Sequence, residues 1–153
     1  MKTLVLGLGN ELYGDDGIGI HIIQKLEADP EFKSADLHAC GLTGLSILDV
    51  IIGYDHLIII DTIKKNDPAP GKIHVMDESK IRHIPGPSPH YVSIPQTIEI
   101  GKKIGLKVPK KIKVIAVEAN NLFYLGEGLS SEMKACIPAI QQKVKSLLVE
   151  IKK

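Results

Sequence analysis

Leu4 to Ile20 reads LVLGLGNELYGDDGIGI. Leu4, Val5 and Leu6 form a short apolar run of the kind a buried parallel strand requires. Gly7-Leu8-Gly9-Asn10 then permits a tight exit, because glycine accepts backbone angles and close approaches that a Cβ would block. Asp15 and Asp16 follow, and from Gly17-Ile18-Gly19-Ile20 a helical apolar pattern begins. A strand, a glycine turn and a helix in this order place the acidic pair at the carboxyl edge of a sheet. That edge is where open α/β folds bind their ligands.

The same residues speak against a dinucleotide site. Gly7 and Gly9 match the first two glycines of G-x-G-x-x-G, but Leu12 takes the place of the third. Two aspartates at the helix start would also repel a pyrophosphate where the helix dipole favours anions. A cation suits the place better. Either aspartate could instead be a plain helix N-cap.

Outward from this stretch, strands and helices alternate. Ile20, Ile23 and Leu26 give the apolar face of a helix ending before Pro30, with His21 half-exposed among them. Ala35 to Cys40 reads as a second strand. Gly41-Leu42-Thr43-Gly44 reads as a turn in which Thr43 caps a helix running through Asp49 to Ile52. His56 to Thr62 is a third strand, buried on both faces, with Asp61 standing where it ends. A carboxylate directly after four aliphatic residues must be hydrated, hydrogen-bonded or metal-bound.

Asp67 to Gly71 is a turn into a strand at Lys72 to Met76. Residues 79–91 hold Pro85, Pro87 and Pro89, and read as an irregular loop that delivers His90 to the next helix. Ser93 and Gln96 resemble a capping box, with Ile94, Ile98 and Ile104 continuing the helix toward Gly105. Ile112 to Val117 is the last strand, followed by Glu118. Ser130 then caps a final helix whose stripe is Met133, Ile137, Ile140, Val144, Leu147 and Ile151. The alternation specifies a three-layer α/β/α sandwich with a mainly parallel twisted sheet of about five strands.

At 153 residues the chain is expected to form a single domain, residues 1–153. A net charge of +1 gives no electrostatic case for nucleic acid or for an anionic membrane. The first apolar run is too short, and too broken by glycine, for a signal peptide or a membrane span. Cys40 and Cys136 are far apart and form no C-x-x-C, so neither a disulfide framework nor a zinc site is indicated. A cytoplasmic protein with no membrane insertion and no nucleic-acid partner is the expectation.

Three groups are then predicted on one edge: Asp16 after the first strand, Asp61 after the third, and His90 from the proline loop. Two carboxylates and an imidazole make a hard-to-borderline ligand set for a divalent metal. Three protein ligands leave positions open for water or for a substrate group. Taken singly each has a bland alternative: a cap for either aspartate, a surface histidine for His90.

These positions carry a resemblance as well. LVLGLGNELYGDDGIG at the start, HLIIIDTI around Asp61, the APG turn at Ala69 to Gly71 and the SPH at Ser88 to His90 resemble the hydrogenase maturation endopeptidases. The likeness runs along almost the whole chain, in order and with spacing intact. It implies a protease that trims the C-terminal extension from a [NiFe] hydrogenase large-subunit precursor after nickel insertion. It also implies that Asp16, Asp61 and His90 are the metal ligands and catalytic residues. Asp16 is the shorter of the two acids the family uses there, which would draw the metal inward. The implied nickel is the precursor's own, with other divalent cations able to substitute in vitro.

Cys40 departs from the family pattern, because many members have an acid before the G-x-T-x-G turn. Either that acid is dispensable, or the chain serves a distinct subgroup such as the coenzyme F420-reducing hydrogenases. Cys40 itself reads as a small buried thiol or as a soft nickel contact. The expected chemistry is metal polarisation of the scissile carbonyl with attack by water. Only Glu118 is left over as a general base. Two rivals stand beside this reading. One is a non-catalytic metal-checking chaperone of the same precursor. The other is a peptidyl-tRNA hydrolase-like enzyme, which would need a histidine and an asparagine where Asp15, Asp16 and Gly17 stand.

Overall fold

Leu57 to Ile60, the aliphatic run of the third predicted strand, lies fully buried in the middle of a five-stranded sheet. The structure, a computed structural model, describes residues 1–41, 45–77, 89–120, 125–126 and 128–153, and only the backbone of residues 89–93. Along the chain come β1 (Thr3–Leu8), α1 (Ile18–Glu27), β2 (Asp36–Cys40), α2 (Ser46–Ile51) and β3 (His56–Ile63). They are followed by β4 (Ile73–Asp77), α3 (Pro89–Lys103), β5 (Lys111–Glu118) and α4 (Ser131–Glu150). The strand order is β2-β1-β3-β5-β4. The first four strands are parallel, and only β4, at one edge, runs antiparallel to its neighbour.

Alternation along each strand divides the core in two. Val5, Ile58, Ile60, Ile115 and Val117 meet α1 and α4 on one face. Leu4, Leu6, Leu57, Ile59 and Ile63 meet α2 and α3 on the other. An apolar run buried on both faces is what a central parallel strand needs, since helices cover both sides.

Helix ends account for most differences from expectation. The buried face of α1 is Ile18, Ile22, Ile23 and Leu26, whereas Ile20 is only half-buried. A 3-10 turn at Gly14–Gly17 precedes the helix and sets its phase. The chain is already helical at Pro89, because proline's fixed φ suits the first helical position. Residues 89–91 are therefore not loop, and Ser93 and Gln96 lie inside α3 and not at its start. The helix ends before Ile104, which is 64% exposed. Gly105, at φ +80°, takes the left-handed position of the stop. Its N–H donates to Lys102 and that of Leu106 to Gly101, the paired bonds of a Schellman ending. Thr43 lies outside the described residues, and α2 starts after Leu45 with no side-chain cap. Ser130 does cap α4, its Oγ accepting from the Met133 N–H. Cys40 and Cys136 form no disulfide. Among the described residues no helix is long and apolar enough to cross a membrane.

Candidate active site

The two adjacent aspartates do different work. Asp15, 1% exposed, accepts hydrogen bonds from Ser130 N–H at 2.7 Å and Ser130 Oγ at 2.9 Å. It anchors the start of α4, where a carboxylate complements the positive helix end, and caps nothing in α1. The N-cap of α1 is Gly17, with no side-chain bond. Asp15→Ala removes both acceptors and strands the partly buried Ser130 N–H and hydroxyl, at a cost of about 3 kcal/mol. At this chain length that corresponds to a fall in Tm of about 10 °C. Thermal unfolding followed by circular dichroism measures it.

Asp16 points elsewhere. Its Oδ2 accepts from the Asn10 N–H at 3.0 Å and its Oδ1 from the Thr62 hydroxyl at 2.8 Å. Gly9 makes this approach possible. Its φ is +149°, and a Cβ there would lie 1.9 Å from the Asp16 carbonyl oxygen. The bonds cross from the loop after β1 to the end of β3, over the point where the sheet reverses its winding. From β1 the chain crosses by α1 to β2 on one side. It then returns by α2, over the opposite face, to β3 on the other. Such a switch point opens a crevice outside the carboxyl ends of the strands.

Asp61 lies within β3 and not at its end, since the strand continues to Ile63. It is 0% exposed, and its Oδ1 accepts from the Thr62 N–H at 2.8 Å. By alternation it shares the α2/α3 face with Leu57, Ile59 and Ile63, while Thr62 leans toward α1. The acids thus approach the end of β3 from opposite faces. His90 is the second residue of α3. That helix packs on the Asp61 face, and its C-terminus feeds the start of β5. Its N-terminus therefore lies at the carboxyl edge. The His90 side chain is outside the described residues. Among the described residues no group of three His, Cys, Asp or Glu is arranged to hold a metal ion.

Carboxylate oxygens suit a divalent ion, and the two Asp16 bonds use half of the roughly four acceptor positions a carboxylate offers. The donor chemistry therefore fits. Thr62 and the Asn10 amide were missed from the sequence. The only signal was a threonine directly after Asp61. Cys40 closes β2 beside the exit of β1, buried in the α2/α3 cluster, as a small packed thiol should be.

Glu118 is not a spare base. Its carboxylate, 1% exposed, lies 2.6 Å from His74 Nε2 and 3.9 Å from Lys65 Nζ, and accepts from the Ala69 N–H at 3.1 Å. Burial pushes its pKa up, but the His74 bond, the Ala69 amide and Lys65 outweigh that and leave it below the ordinary value of 4.5. The folded state therefore holds fewer protons than the unfolded state on the acid side of that value. The stability it contributes is present above pH 4.5 and is lost as pH falls through the depressed value. Acid unfolding of Glu118→Gln should depend less on pH than wild type below about pH 5.

Comparison with known proteins agrees with the fold. Residues 20–147 match the family described as "HycI: Hydrogenase maturation protease". The hydrogenase 2 maturation protease of Escherichia coli K12 is 29% identical over 153 residues, covering 96% of this chain and 91% of that protein. The structure of the E. coli hydrogenase maturating endopeptidase HybD superposes with a TM-score of 0.84 at 28% identity, over 98% of this chain and 93% of that one. The [NiFe] hydrogenase maturation protease HybD of Thermococcus kodakarensis gives 0.79 at 25% identity, over 96% and 99%. The peptidyl-tRNA hydrolase alternative falls away. The chain belongs to the hydrogenase maturation protease family.

Proposed function

We propose that this chain is a cytoplasmic endopeptidase that removes the C-terminal extension of a [NiFe] hydrogenase large-subunit precursor once nickel has been inserted. Asp16, Asp61 and His90 engage the precursor's own nickel, which arrives as part of the substrate. The reading rests on one observation above all: two carboxylates on separate elements are both tied to Thr62 at the strand switch point. An open set of two oxygens and one nitrogen holds a metal less tightly than cysteine- or histidine-rich sites do. Engagement then depends on a nickel already seated in the precursor, so loading is checked and the scissile peptide positioned in one step. The nickel supplies polarisation of the peptide carbonyl, and water is the nucleophile. Glu118, already bonded to three partners, is not assigned as the base.

The test is the mass of the precursor after incubation, nickel-loaded against metal-free. A shortened product from the loaded form alone supports the proposal. Equal cutting of both removes nickel gating, and a stable unshortened complex points to a metal-checking chaperone.

A further inference from the structure

We propose that Thr62 is a positioning residue for this cleavage, holding both acids of the candidate site in a single geometry. The inference rests on the reading of Asp16 and Asp61 given above. Thr62 reaches the two acids through different groups. Its hydroxyl donates to Asp16 Oδ1 and its amide to Asp61 Oδ1, each at 2.8 Å. The residue is 1% exposed, its amide bond to Asp61 is buried, and its hydroxyl bond to Asp16 is partly buried.

The ladder explains how one residue can do both. Pairing of β3 with β1 stops at Ile60–Gly7, whereas pairing with β5 continues to Ile63–Glu118. From Asp61 onward one flank of β3 has no strand beside it, and Asp16 comes in from the loop after β1. Thr62 turns its side chain to the α1 face while Asp61 turns to the other. The amide between them lies in the plane of the strand. A hydroxyl carries a single hydrogen. Committed to Asp16, it fixes one carboxylate oxygen, and the Asn10 amide fixes the other.

A threonine kept only as a strand former could be replaced by valine without loss, since both are β-branched and favour strands. Valine keeps the shape and removes the donor, whereas serine keeps the donor and removes the methyl. The experiment uses the full chain with nickel-loaded precursor, and metal-free precursor as a competing inhibitor. For Thr62→Val we expect kcat/KM to fall by about 10- to 100-fold, the range seen when groups supporting metal ligands are lost. The Ki of the metal-free competitor should stay unchanged, and the Tm should move by only a few degrees. Thr62→Ser should restore most of the rate. Wild-type kcat/KM in Thr62→Val, a weakened competitor, or a loss that serine does not restore would each overturn the assignment. Full activity of Asp16→Asn in the same assay would instead overturn the reading of the site, whatever Thr62 does.

Discussion

Asp16→Asn is expected to reduce cleavage of nickel-loaded precursor by at least about 100-fold, more than the loss of a supporting group alone would cost. The fold should survive it. Asparagine has the same shape, and its carbonyl can accept the Asn10 N–H in place of Oδ2. Its amide nitrogen then faces the Thr62 hydroxyl, which can turn and accept, because a hydroxyl serves as donor or acceptor. Both local hydrogen bonds are thereby kept and only the negative charge is removed. An unchanged Tm beside a lost activity would assign Asp16 to the chemistry. Unaltered cutting of the loaded precursor by Asp16→Asn would remove it from the site. The neighbouring Asp15→Ala gives the opposite pattern, with lower stability and intact cleavage, because that carboxylate serves Ser130.

Gly19→Ala should destabilise by about 3 kcal/mol or more, near the upper end of what overpacking costs. The sign is the informative part. Within a helix, glycine to alanine ordinarily gains about 1 kcal/mol, and Gly19 lies inside α1. Here a Cβ would stand 2.5 Å from the Leu8 carbonyl oxygen, 2.8 Å from that of Ile60 and 2.9 Å from the Leu8 nitrogen. All three are backbone atoms, so no side chain can swing aside. Gly7 completes the contact from the strand side, its missing Cβ leaving room for the Gly19 carbonyl oxygen. These two glycines let α1 settle directly on β1 and β3 at the crevice, which brings Asp16 within reach of Thr62. A Tm fall of about 10 °C or more is expected at this chain length. A rise would show that the helix can shift without cost.

Much of this architecture was legible because it follows from local chemistry. The aliphatic run Leu57 to Ile60 could only be a strand covered on both sides. The Ser130 cap was equally local, a hydroxyl preceding an apolar helical stripe. Helix boundaries were less legible. Ser93 offered the start signal for α3, and the packed chain shows the helix already formed at Pro89. Ile104 continued the apolar pattern of α3 but falls just past its last residue, Lys103, ahead of the Gly105 stop.

Local residue patterns were enough for the alternating fold, for the edge on which Asp16 and Asp61 lie, and for ruling out a dinucleotide fingerprint. All of these depend on residues near one another in the chain. The folded chain alone gave Asp15 and Asp16 their separate partners. One partner, Ser130, is 115 residues away and the other, Thr62, 46, and no local pattern encodes either distance. It likewise tied up Glu118, whose partners His74 and Lys65 come from the far side of the β3–β4 turn and from its start. A side chain's role at a sheet edge is set by which distant donor reaches it first, and that is decided when the layers close.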